Sequence, residues 1–160
     1  MGRIPTKRTK EKIVEEILLR DYDKYYRLAY SYVKNEMDAG DIVQNGAYQA
    51  IRKAHTLREE VYAATWIYRI MLNEIFKKYQ EKSTEDIDQM AEVIGQEDSY
   101  ENVDLKRALN NLSKEDKAVV ELKYFEEMKL SEIAEVLGEN LSTIKSRLYR
   151  SLKKLKLELE

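Results

Sequence analysis

The chain has 160 residues, with 28 Lys and Arg against 30 Asp and Glu, a net charge of −2, one Pro, five Gly, one His and no Cys. These counts exclude a disulfide framework, a thiolate metal site, a cysteine nucleophile and a His pair for a metal, and no apolar run approaches the roughly 18 residues that span a bilayer. Scarce Pro and Gly with 36% charged residues predict an all-α, cytoplasmic protein of one domain or two small ones.

The near-zero net charge conceals a segregation along the chain. Met1 to Lys12 carries Arg3, Lys7, Arg8, Lys10 and Lys12 against Glu11 alone. It is basic but lacks the apolar stretch of a secretory leader. Ser83 to Asp104 carries eight acids and no base. Leu141 to Lys156 carries Lys145, Arg147, Arg150, Lys153, Lys154 and Lys156 and no acid. The acidic stretch also has the weakest apolar periodicity, with room for a short helical piece at Met90 to Ile94. The expected division is therefore a helical domain over 1–82, an acidic flexible linker over 83–103 and a second helical domain over 104–160.

In chain order, Leu18, Tyr22, Tyr25, Ala29 and Tyr32 recur at spacings of three and four and predict a first helix with one apolar stripe. Asn35 and Asp38 mark its end and the start of the next. Ala39, Val43, Ala47, Ala50 and Ala54, with Ile42 and Ile51 beside them, predict a second helix. His55 to Ala64 loses the pattern and reads as a loop. Thr65 is placed to cap a third helix from Trp66 to about Glu81. On it Trp66, Arg69, Asn73 and Lys77 share one face, while Ile67, Met71, Leu72 and Ile75 fall on the other. An aromatic, a guanidinium, an amide and an ammonium in one row suit a displaced single strand, although Trp66 is equally suited to a core. Asp41 and Gln44 share a face of the second helix, where an acid near the N-terminus is also favoured by the helix dipole alone.

In the second domain, Ser113-x-x-Asp116 resembles a capping box before an apolar run. The stretch from Leu130 to Arg150 has the spacing of a helix-turn-helix. Ala134 is small where two helices approach, Gly138 supplies a left-handed turn residue, and Ile144 anchors the second helix. Ile144, Leu148, Leu152 and Leu155 form its inner face. Ser142, Thr143, Ser146, Arg150 and Lys153 lie opposite, with Lys145 and Arg147 on the flanks. Long cations and short hydroxyls on an acid-free helix face suit phosphates and base edges in a DNA groove. His55 has no second ligand near it, and the acidic stretch lacks the glycine and ligand spacing of a calcium loop. No phosphate-cradling glycine loop or nucleophile–base pair points to an enzyme.

Leu109-Asn-Asn-Leu-Ser, Val120-Glu-Leu-Lys-Tyr-Phe-Glu, Glu132-Ile-Ala-Glu-Val-Leu-Gly and Ser142-Thr-Ile-Lys-Ser-Arg-Leu-Tyr-Arg together resemble region 4 of the small bacterial RNA polymerase sigma factors, the extracytoplasmic-function (ECF) type of the sigma-70 family. Asp38-Ala-Gly-Asp-Ile-Val-Gln, then Thr65-Trp-Ile-Tyr-Arg-Ile and Asn73, resemble their region 2. The likeness runs from about Leu18 to Leu155. The chain departs from the common pattern at Gly40, at Ser142, read as a helix cap in place of glycine, and at Lys129, where a Ser or Thr cap is usual.

The resemblance implies a promoter-specificity subunit with no cofactor, no metal and no small-molecule substrate. Its partners would be core RNA polymerase, promoter DNA and a membrane-linked anti-sigma factor. It assigns Asp41 and Gln44 to the coiled-coil clamp helices of the polymerase largest subunit. Trp66, Arg69, Asn73 and Lys77 go to the minus-ten element, with the loop from His55 capturing a flipped base. Ser142, Thr143, Lys145, Ser146, Arg147 and Arg150 go to the minus-thirty-five element. The linker would thread toward the polymerase cleft. Two other readings stay open: a dimeric helix-turn-helix regulator acting without replacing sigma, and a helical interaction protein with no DNA role.

Overall fold

The computed structural model describes residues 9–85 and 100–159. The expected helical piece at Met90 to Ile94, most of the acidic linker and the basic residues Arg3, Lys7 and Arg8 lie outside them. All regular structure among the described residues is helical: α1 (Lys10–Val33), α2 (Glu36–Arg52), α3 (Ala63–Glu85), α4 (Tyr100–Asn110), α5 (Lys114–Tyr124), α6 (Leu130–Leu137) and α7 (Leu141–Leu159). Two single 3-10 turns, Ala54–Thr56 and Glu60–Tyr62, interrupt the connection between α2 and α3.

The first three helices form one bundle. α1 begins at Thr9, whose hydroxyl accepts the Lys12 N–H at 3.1 Å. It ends at Lys34, left-handed at φ 62°, whose N–H returns to the Tyr30 carbonyl. Asn35 then caps α2 by accepting the Asp38 N–H at 2.7 Å, as its position after a helix end suggested. The expected stripes are present with two exceptions. Leu18, Tyr25, Ala29 and Tyr32 are buried on α1, but Tyr22 is exposed. It stacks on Tyr26, which stacks on Tyr30, along the outside of the helix. On α2, Ala39, Ile42, Val43 and Ala50 are buried and Ile51 is exposed. Ala54 is also buried, but on the 3-10 turn after the helix. Gly46 is buried as well, because α3 brings Met71 so close that any side chain there would collide with its thioether.

The start of α3 differs from expectation. Glu60–Tyr62 coils directly into the helix at Ala63, so Thr65 lies inside the first turn rather than at its cap. Its hydroxyl donates to the Tyr62 carbonyl at 3.1 Å. The helix starts at the buried Ala63, three residues earlier than the polar signal indicated.

The last four helices form the second bundle. Ser113 caps α5, accepting the Asp116 N–H at 3.1 Å. Lys129 cannot cap through its ammonium. Glu132 instead reaches back to the Lys129 N–H at 3.1 Å, half of a capping box, which secures a start that lacks Ser or Thr. Gly138 adopts φ 67° and ends α6, and Ile144, Leu148 and Leu155 face the core. The cap of α7 is Asn140, not Ser142: the Asn140 side-chain oxygen accepts both the Thr143 N–H and the Ser142 hydroxyl at 2.8 Å.

The two bundles pack together, α3 lying against α6. A polar seam closes them near the end of α1. Lys117, only 5% exposed, donates to the Ser31 carbonyl and to Asn110 Oδ1 at 2.9 Å. Its ammonium sits 4.2 Å from the centre of the Tyr32 ring. Glu121 accepts the Ser31 hydroxyl at 3.0 Å, and Tyr32 Oη donates to the Lys114 carbonyl at 2.9 Å. Burial lowers the Lys117 pKa and raises that of Glu121. Each buried ion is balanced by the other and by backbone or hydroxyl partners from the opposite bundle, the arrangement buried charge requires.

Candidate nucleic-acid interface

On α2, Asp41 and Gln44 are both exposed. They stand opposite the buried Ile42 and Val43 side of the helix, so neither is held in the core. Their neighbour Asp38 pairs with Lys82 near the end of α3. The hydrogen bond from Asn35, reinforced by Lys82, holds the Asp38 carboxyl below its ordinary pKa. Asp38 therefore ties α2 to α3, and Asp41 and Gln44 remain for an external surface.

On α3, the row foreseen from spacing is present. Arg69, Asn73 and Lys77 are exposed. Ile67, Met71, Leu72 and Ile75 are buried on the opposite side. Trp66 is half-buried and packs on the core: one part fills the bundle and the rest stays at the surface. The loop before α3 has exposed His55, Arg58, Glu59 and Glu60, anchored by buried Ala54 and Leu57. The row is not wholly open, because the Arg69 guanidinium lies beside Gly138. A Cβ at Gly138 would be 3.3 Å from Arg69 Nη2.

On α7, Ser142, Lys145, Ser146 and Arg150 are exposed and Thr143 and Arg147 are half-buried. Ser142, Thr143, Ser146, Arg147 and Arg150 line one shallow open depression. The helix itself carries no acid on this face, but the tertiary structure supplies two. Arg147 donates through Nε and Nη2 to Glu139 at 2.9 and 3.2 Å, and through Nη1 to Asp116 at 3.0 Å. Arg150 Nη2 donates to both oxygens of Asp116 at 2.9 and 3.2 Å. The expectation of an acid-free reading face is corrected accordingly: two guanidiniums there meet two carboxylates.

The cluster is electrostatically tight. Burial would push the Asp116 carboxyl up, but the hydrogen bonds from Arg150 and Arg147 outweigh it and hold the pKa below the ordinary value. The Glu139 hydrogen bonds raise Arg147, against the effect of burial and with help from Asp116. The two arginines differ in what remains. Arg147, with 23% of its side chain exposed, has committed donors on three of its nitrogens. Arg150 keeps 61% exposed, and its hydrogen bonds to Asp116 both run from Nη2. Asp116 was legible only as a capping residue, and Glu139 only as the residue after the turn glycine. Neither signal shows that α5 and the turn before α7 bring them to the arginines of α7.

Among the described residues no group of His, Cys, Asp and Glu is placed to hold a metal ion, and no helix is long and apolar enough to cross a membrane.

Comparison with known proteins accords with this geometry. Residues 18–84 match the family model described as Sigma-70 region 2, and residues 102–155 match Sigma-70, region 4. The chain is 38% identical over 157 residues to RNA polymerase sigma factor SigV of Bacillus subtilis, covering 96% of this chain and 95% of that one. It is 26% identical over 156 residues to ECF RNA polymerase sigma factor SigW of the same organism, covering 86% and 83%. The fold is similar to that of the sigma factor RpoE in complex with the anti-sigma factor NepR from Bartonella quintana, with a TM-score of 0.72, 24% identity, and 91% and 95% of the chains covered. It is equally similar to CnrH in complex with the cytosolic domain of CnrY, with a TM-score of 0.72, 22% identity, and 91% and 86% covered. With both regions matched in order and a relative aligned over nearly its whole length, the chain belongs to the RNA polymerase sigma factors of the sigma-70 family, ECF type.

Proposed function

We propose that this protein binds core RNA polymerase and directs it to specific promoters, working in the cytoplasm without chemistry of its own. The observation that carries the reading is that one chain exposes two separate polar, cationic surfaces suited to DNA. One is the exposed row of Arg69, Asn73 and Lys77 on α3, and the other is the hydroxyl- and arginine-lined depression on α7. Asp41 and Gln44 supply a third surface, on α2, for the polymerase clamp helices. In this division of labour the first bundle, residues 1–82, docks on core and reads the minus-ten element. The second bundle, residues 104–160, reads the minus-thirty-five element, and the acidic segment between them is the tether.

The described arrangement is the closed form. Arg69 lies against the Gly138 turn of the second bundle, so part of the α3 row is covered in it. Core binding would separate the bundles and hold them at promoter spacing, which converts two weak contacts into one strong one. An anti-sigma factor, membrane-linked in the reading favoured here, would hold the closed form. The structural relatives described above are themselves complexes with anti-sigma factors.

Run-off transcription tests the proposal. The purified protein added to core polymerase and a genomic fragment library should yield a small set of specific transcripts. Absence of core binding, or tight binding to a palindrome as a dimer without core, overturns it in favour of an ordinary regulator.

A further inference from the structure

We infer that Asp116 is a positioning residue for promoter recognition, orienting Arg150 and Arg147 on the reading helix while cancelling part of their charge. This rests on the reading of α7 as the minus-thirty-five helix and adds a residue outside that helix to it. Asp116 is 8% exposed and sits in the first turn of α5, its own N–H held by Ser113. A carboxylate so anchored is a fixed point. To it Arg150 donates two hydrogen bonds, and Arg147 donates one while donating from its other edge to Glu139.

Two consequences follow from the chemistry. A guanidinium held through one nitrogen presents its remaining N–H groups in a defined plane. That is what bidentate recognition of a base edge or a phosphate demands of Arg and what a freely rotating side chain lacks. At the same time the four charges of the cluster sum to zero, which reduces the sequence-independent pull of the backbone. Asp116 thus trades general attraction to DNA for discrimination between sequences. Lys145, exposed on the same helix, is left to supply uncompensated charge.

The test uses holoenzyme reconstituted from core polymerase and full-length wild type, Asp116→Asn, Glu139→Gln, Arg150→Ala or the Asp116→Asn/Arg150→Ala double variant. Transcription is read on promoters carrying single substitutions across the minus-thirty-five element, and promoter binding is read at stepped salt. Asp116→Asn should flatten the preference for the best element by about fivefold, within the range one good bidentate contact supplies. It should also steepen the salt dependence by about one charge. Its effect on preference should shrink in the Arg150→Ala background. Glu139→Gln, in the turn between α6 and α7, should steepen the salt dependence in the same sense and keeps the test open if Asp116→Asn folds poorly.

Unchanged preference and salt dependence in both single variants overturns the inference. So does an Asp116→Asn effect of equal size with and without Arg150, which marks a merely structural role. If wild-type holoenzyme is indifferent to the minus-thirty-five sequence and to Arg150→Ala, the reading of α7 itself fails and takes this inference with it.

Discussion

Tyr68 on α3 donates its hydroxyl to Glu126 Oε2 at 2.8 Å, joining the helix assigned to the minus-ten element to the turn that precedes the helix-turn-helix. The ring is buried and meets Tyr25 edge-on at 5.0 Å. Burial and the nearby Glu126 carboxylate push the phenol pKa far above its ordinary value, so it remains a donor at any physiological pH. Tyr68→Phe keeps the ring packing and removes the bond, leaving Glu126 half-buried without it. The cost is about 1–2 kcal/mol, and it falls on closure of the two bundles, because the fold of each is untouched. Since the chain has no native cysteine, single cysteines placed in α2 and α7 can carry spin labels. The inter-bundle distance distribution should broaden and shift outward in Tyr68→Phe.

Asp41 and Gln44 make a different prediction. Both are exposed on a helix whose other face is packed. Asp41→Ala or Gln44→Ala should weaken core polymerase binding about tenfold, the scale of a moderate hot spot. Helix content and melting temperature should stay unchanged. Competition for core against the wild-type chain measures it. Equal loss from Arg150→Ala would abolish the division of labour between the bundles.

Gly46 should tolerate little. Replacing a mid-helix glycine ordinarily gains stability through backbone entropy, by about 0.5–1 kcal/mol for Ala. Here the added carbon meets the thioether of Met71, which is fully buried. Gly46→Val should therefore destabilise the first bundle by about 1–3 kcal/mol through overpacking, read as a lower urea midpoint.

Acid should release the arginine cluster. The folded Asp116 pKa lies below the ordinary 3.8. The carboxylate therefore contributes stability that is complete above that value and is lost as pH falls through the folded value. The melting temperature of wild type should exceed that of Asp116→Asn at neutral pH, and the difference should close as the pH falls below the ordinary carboxylate value of 3.8. A gap independent of pH would mean that the ion pairs contribute nothing to folding.

Much of the molecule was legible from local rules. The Asn35 cap, the left-handed Gly138, the buried Ile67, Met71 and Ile75 against exposed Arg69, Asn73 and Lys77, and the inner face of α7 follow from spacing that one helix imposes on itself. The misses share a cause. Thr65 and Ser142 were read as caps because capping residues are common there, but the adjoining 3-10 turn and Asn140 had already set the helix starts. Tyr22 kept the helical spacing of its neighbours yet lies at the edge of the stripe, where a small rotation of α1 decides between core and solvent.

By itself the sequence determined the two helical bundles, the order of their motifs and the family to which the chain belongs. Helix periodicity, turn residues and charge runs are short-range, and each is complete within a few residues. Tertiary structure alone decided that α3 rests on α6, that Lys117 and Glu121 share a buried seam with Ser31, and that Asp116 and Glu139 meet the arginines of α7. Apart from Glu139 and Arg147, which meet across one turn, these contacts join residues far apart in the chain, and their energies depend on burial, which no local pattern encodes. In an acid-free run of 16 residues, Leu141 to Lys156, two arginines therefore gained carboxylate partners once the fold closed around them.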